Sequence, residues 1–157
     1  MNSLHAPTPD PPSRPLAERL VGRWTLVSFE AVSDGATEHP FGPDAVGELR
    51  YDESRRMAVQ VMKQGRPRFA SNEQRDGTVA EVADAFTGYG AYYGTYSVDE
   101  QAAVVTHHVA ASLFPNRVGT DQRRDVRIEG DRLTLSTLPE ISEGRERFFR
   151  LVWKRRD

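Results

Sequence analysis

With 157 residues, 38% hydrophobic and 28% charged, the chain has the apolar mass for one buried core and is not a disordered polymer. A formal charge of −2 gives no electrostatic case for binding nucleic acid or an anionic membrane. The absence of cysteine excludes disulfides and thiolate chemistry, and no run approaches the ~18 to 20 apolar residues of a membrane helix.

Residues 1–15 hold Pro7, Pro9, Pro11, Pro12 and Pro15 and no apolar stretch like a secretory signal. They read as a disordered Pro-rich leader before one domain over 16–157, and a cytoplasmic location is expected. Leu16 and Leu20 are spaced to share a face of one helical turn. Gly22-Arg23-Trp24 then opens a strand over 24–30, in which Trp24, Leu26 and Ser28 alternate with Thr25, Val27 and Phe29. Asp34-Gly35 is a turn signal, and 39–44 forms a rigid loop around Pro40 and Pro43.

Strands over 46–51 and 56–62 follow, joined by the polar link 52–55. In the second, Met57, Val59 and Val61 oppose Ala58, Gln60 and Met62, so the alternation leaves the inward face open. Residues 65–77 are polar and loop-like, with Pro67 and Phe69 as possible lid residues. A helix is predicted over 79–87: Thr78 and Glu81 make a capping box, Val79, Val82, Ala83 and Phe86 keep the helical period, and Gly88 stops it. Its shortness suits a cap over one end of a sheet.

Strands over 91–98, 103–110, 122–128, 132–138 and 147–153 complete the chain, separated by turn signals such as Asp99-Glu100 and Glu129-Gly130-Asp131. The prediction is all-β: an eight-stranded up-and-down antiparallel barrel with one short helix inserted after the third strand. Such a barrel can hold one small ligand, so an internal cavity is expected from the architecture alone. Lys154-Arg155-Arg156 reads as a solvated strand end, and Glu140, Glu143 and Glu146 as solvated loop residues.

Several blocks carry a resemblance. The segment Leu20-Val21-Gly22-Arg23-Trp24 through Glu30 is similar to the Gly-x-Trp first strand of lipocalins and fatty-acid-binding proteins. Three more blocks resemble the bacterial and fungal lipocalin-like domain family. They are His39-Pro40-Phe41-Gly42-Pro43 with Gly47, Tyr93-Gly94-Thr95-Tyr96, and Thr106-His107-His108 through Leu113-Phe114-Pro115-Asn116 to Gly119-Thr120-Asp121-Gln122. The match spans about 20–154. It implies a calycin-type barrel with an internal pocket, and a basic side chain, Arg150 or Arg155, packed over Trp24. It does not imply one reaction, because barrels of this type include natural-product cyclases and isomerases as well as binders.

His107 and His108 are adjacent on a strand and point to opposite faces, so they cannot share one metal ion. If Val105 and Val109 face inward, His107 joins them, either as a neutral histidine bonded within the wall or as a general acid or base. Tyr51, Tyr92 and Tyr96 either line the cavity or fill the barrel and bond one another. Gln122 shares its alternation with Val126 and Ile128, and an inward amide needs a partner: His107, a tyrosine or a ligand. Gln60 has the same status, and Asn116 lies in a turn where it either bonds local backbone or meets a ligand.

No nucleophile elbow, phosphate loop, metal-binding helix or dinucleotide fingerprint is present, so no cofactor and no metal are expected. The expected function is binding of a hydrophobic or aromatic small molecule, as in secondary metabolism, with Tyr51, Gln60, Tyr92, Tyr96, His107, Asn116 and Gln122 as candidate ligand residues. The alternative is a cofactor-independent isomerase or cyclase using the same pocket, with His107 moving a proton. Oligomeric state and ligand identity are not legible.

Overall fold

The computed structural model describes residues 14–156; of the leader read over 1–15, all but Arg14 and Pro15 lies outside them. A five-residue helix α1 (Leu16–Leu20) precedes the strands β1 (Gly22–Ser33), β2 (Ala36–Glu38), β3 (Val46–Tyr51) and β4 (Arg56–Met62). Helix α2 (Val79–Thr87) follows, then β5 (Tyr89–Asp99), β6 (Val104–Ser112), a 3-10 turn (Pro115–Arg117) and β7 (Asp121–Glu129). The chain ends in β8 (Arg132–Thr137), β9 (Glu140–Ser142) and β10 (Arg145–Arg156). Eight strands run β1-β3-β4-β5-β6-β7-β8-β10, every pairing antiparallel, and β10 pairs back onto β1 to close the barrel. Closure leaves no unpaired edge among these eight.

Two details depart from the sequence reading. The helix follows the fourth strand, not the third, because the Asp34-Gly35 turn folds β2 back onto the end of β1. A second three-residue strand, β9, pairs with the start of β10 in the same way. Both are wholly exposed, so they lack the apolar alternation that marks a strand in sequence.

One end of the barrel is plugged. Leu16 and Leu20 of α1 pack into the core with Trp24, Leu49, Tyr51, Leu133 and Trp153. A helix this short cannot satisfy its own amides, and the Glu100 carboxylate accepts from the Leu16 and Ala17 N–H groups at 2.7 and 2.9 Å. The Trp24 indole donates to the Leu20 carbonyl at 2.9 Å. Of the two basic residues that the resemblance offered, it is Arg155 that stacks on Trp24, 4.2 Å from the ring centre, and donates to the Val21 and Arg19 carbonyls. Arg150 instead pairs with Glu30 at 2.6 Å. Gly22 makes this possible: it has φ +140°, and a Cβ there would lie 2.7 Å from the Arg155 guanidinium.

Bulges set which residues face in. The β1–β10 register slips between Leu26 and Ser28, leaving Val27 as an extra residue 40% exposed. That slip turns Phe29 inward, although strict alternation puts it opposite Trp24. A second slip between Tyr93 and Gly94 leaves Ala110 unpaired on β6 and sets Tyr92 against Ser112. Gly94 is required there, since a Cβ would fall 1.9 Å from the His108 carbonyl oxygen.

Candidate functional site

At the end opposite α1 a cavity of about 390 Å³ opens into the barrel, within the usual range of small-molecule sites. Its walls are aromatic: Phe29 from β1, Phe41 from the proline loop, Phe86 from α2, Phe114, Phe149 and, deeper, Trp153. Phe29 anchors that wall, edge-on to Phe41 at 5.2 Å and tilted against Phe149 at 5.8 Å.

Helix α2 lies at the mouth, and none of its residues is buried. The predicted capping box is present, with Thr78 Oγ1 accepting from Glu81 N and the Glu81 carboxylate accepting from Thr78 N. Glu81 also accepts from Ala70 N at 2.8 Å, which ties the preceding loop to the helix. These bonds hold the Glu81 carboxyl below its usual range, the Thr78 backbone bond most of all. Phe69 and Pro67 do not reach the cavity.

The floor is polar and ordered. His107 is 2% exposed and sits between two tyrosines, with Tyr51 Oη 2.6 Å from Nε2 and Tyr92 Oη 2.7 Å from Nδ1. Burial first, then the Arg124 guanidinium and His108, push its pKa down to about 3, so the ring is neutral at pH 7. Burial also raises Tyr51 well above the ordinary tyrosine range and Tyr92 above it, the latter against the pull of Arg124 and Arg117.

Neutrality fixes the direction of the chain of bonds. A neutral imidazole donates from one nitrogen and accepts at the other. Among the described residues the Tyr51 hydroxyl bonds only to Nε2. Were Nε2 the donor, the buried Tyr51 proton would lack an acceptor, at a cost of roughly 1 to 3 kcal/mol. Tyr51 therefore donates to Nε2, the ring proton sits on Nδ1, and Nδ1–H donates to the Tyr92 oxygen. The Tyr92 proton is left for the cavity, which Tyr92 lines.

The sequence candidates divide accordingly. His107 and Tyr92 line the cavity, while Tyr51 stands behind His107 and does not. Tyr96 lies farther toward the plugged end, edge-on to Tyr51 at 4.7 Å, its hydroxyl donating to the Asp52 carbonyl at 2.8 Å. Gln122 is registered opposite His107 but does not line the cavity, because its amide donates to Thr120 Oγ1 at 2.8 Å. Two candidates fall outside the barrel. Met57, Val59 and Val61 face in, so Gln60 faces out, where it accepts from the Tyr89 hydroxyl. Asn116 is exposed in the 3-10 turn.

Two arginines escaped the sequence reading. Arg124 shares the parity of Gln122, Val126 and Ile128, so alternation is the signal that gives its inward direction. Arg124 lines the floor beside Tyr92. Arg117 lies at the rim, its guanidinium 5.9 Å from the ring centres of both Tyr92 and Phe114. Nothing in a turn sequence fixes that direction.

His108 faces outward, as alternation requires, with Ser97 Oγ 2.9 Å from Nε2 and Asp121 Oδ1 2.7 Å from Nδ1. The order matches a Ser-His-Asp relay. None of the three lines the cavity, and the row lies on a paired strand surface whose amides are committed to the sheet. Among the described residues no group of three His, Asp or Glu side chains could hold a metal ion.

Comparison with known proteins agrees with this architecture. The profile described as Lipocalin-like domain matches residues 21–156. A curated relative, the 4'-hydroxy-3'-methoxypropiophenone carrier protein of Aspergillus oryzae, is 39% identical over 106 residues, covering 63% of this chain and 96% of that protein.

Proposed function

From the premise that this chain belongs to the lipocalin-like domain family, we propose that it is a carrier of a small aromatic ketone, held in the barrel cavity. The observation that carries this reading is an aromatic-walled cavity whose floor offers donors. Tyr92 has a free hydroxyl proton, and Arg124 and Arg117 offer guanidinium N–H groups. A ligand that fits is an aromatic ring bearing acceptor oxygens, one of which accepts from Tyr92. Ring stacking on the phenylalanines supplies most of the affinity, and the floor supplies orientation. The carrier named among the relatives takes a ligand of that class, an aryl ketone with phenol and methoxy oxygens.

Carriage is favoured over proton transfer at His107. Both of its ring nitrogens are occupied by tyrosines, and a base with a pKa of about 3 has little drive to take a proton near neutrality. His107 is on this reading a positioning residue that aims Tyr92.

Titration with 4'-hydroxy-3'-methoxypropiophenone tests the proposal, read by tryptophan fluorescence and by native mass spectrometry. Trp153 lines the cavity whereas Trp24 lies in the plugged end, so quenching is expected in wild type and absent in Trp153→Phe. An aryl ketone that leaves the mass and the fluorescence unchanged overturns the reading.

A further inference from the structure

We infer that the cavity takes its aromatic ligand with one oxygen ionised, and that Arg124 is the counter-ion. The inference rests on the carrier reading and specifies the charge of what is carried.

Among the described residues that line the cavity are two arginines, and none is an aspartate or glutamate. Neither Arg117 nor Arg124 forms a salt bridge with a carboxylate among the described residues, although six other pairs do form. Arg124 spends its hydrogen bonds on neutral groups: the Arg123 carbonyl at 2.8 Å, at the limit of reach the Gln122 amide oxygen at 3.5 Å, and the Tyr92 hydroxyl oxygen. Arg117 has two ring faces beside it and, among the described residues, no side-chain hydrogen bond from its guanidinium. A half-buried guanidinium without a counter-charge, at the floor of an apolar cavity, is an electrostatic vacancy.

The other titratable groups around it leave that charge unbalanced. His107 and Tyr92 face the cavity from β6 and β5, Tyr89 stands at its rim, and Tyr51 lies behind His107. His107, Tyr51 and Tyr92 are neutral near pH 7, and Arg124 acts on all three. An anionic oxygen beside Arg124 would accept a charge-assisted bond from it and a second from the Tyr92 hydroxyl, in a medium where charges are poorly screened. A para-acyl phenol suits the site because its ring shares the negative charge with the ketone. A carboxylate presents the same anionic oxygen.

Three probes of similar size separate these cases: 4-hydroxyacetophenone, 4-methoxyacetophenone and 4-acetylbenzoate. The bound hydroxy probe is expected to show the phenolate absorption band at a pH a unit or more below that at which the free phenol ionises. This is a tenfold or greater preference for the anion. Arg124→Gln should abolish the preference and Arg124→Lys should keep it, with circular dichroism confirming the fold of each. Arg117→Met, at the rim, should reduce it less, and gives a second handle should Arg124→Gln fail to fold. Tighter binding of the acetylbenzoate than of the phenol assigns the anion to a carboxylate source. The inference is overturned if the bound phenol ionises at or above its free value, or if the methoxy probe binds as tightly as both acids. In either case binding of the methoxy probe leaves the carrier reading standing; if no probe binds, both fall.

Discussion

The two ends of this barrel are built on opposite principles. At the plugged end the buried polar groups are partnered within the protein: Glu100 takes the first amides of α1, Leu20 takes the Trp24 indole, and Arg155 takes two carbonyls and a ring face. At the open end the groups are left over: the Tyr92 proton and two guanidinium groups without a carboxylate among the described residues. Satisfied groups make a fold stable, whereas unsatisfied ones at a cavity wall make it receptive.

The largest expected effect lies at the plugged end. Trp24→Ala removes a fully buried indole from the core and from under Arg155, and should lower stability by about 3 to 5 kcal/mol. Phe114→Ala, on a rim residue 46% exposed, should cost less than about 1 kcal/mol. Urea unfolding of both variants measures the contrast. Equal losses would break the distinction between a structural end and a receptive one.

The second effect depends on pH and belongs to the boundary between the two ends, where His107 sits. Unfolded, the histidine takes up a proton near its ordinary value of 6.5; folded, it does not until about 3. Between those values the unfolded state holds the extra proton, so stability is full above about 6.5 and falls as pH drops through the window. The slope approaches about 1.4 kcal/mol per pH unit. Asp52 and Glu81, both held low by hydrogen bonds, add to acid loss in any variant. His107→Gln can accept from Tyr51 and donate to Tyr92, so the difference between the wild-type and variant stability curves isolates the histidine. Parallel curves from about pH 6.5 to 4 would show that the ring is not held neutral.

What was legible in the sequence follows the same division. The barrel strands could be read because burial on one face imposes a period of two and because the turns carry Asp-Gly and Gly-Asp signals. The cap of α2 could be read because Thr78 and Glu81 interact within one turn. His107 and Tyr92 could be placed inside by parity, and Arg124 shares the inward parity of Gln122, Val126 and Ile128. Phe29 could not, because a bulge at Val27 inverts the period, and bulges depend on cross-strand register rather than on local composition. Gln60 stayed ambiguous because Met57, Val59, Val61 and Ala58, Met62 make both faces of β4 apolar.

The smallest effect on stability should be the most specific for binding. Tyr92→Phe removes the one floor hydroxyl whose proton is free, while Phe fills nearly the same space. A neutral hydrogen bond of about 1 kcal/mol corresponds to roughly fivefold weaker binding of an aryl ketone. Tyr51→Phe deletes no group that touches the ligand, yet it frees Nε2 to take the ring proton and Nδ1 to accept from Tyr92. The Tyr92 proton then turns away from the cavity, so Tyr51→Phe should weaken the same ligand by a similar factor, and the two substitutions together should do little more than either alone. Calorimetric titration of the two single variants and the double variant checks this coupling. Independent, additive losses would mean that Tyr51 and Tyr92 act separately, and that His107 transmits no orientation between the packed interior and the cavity floor.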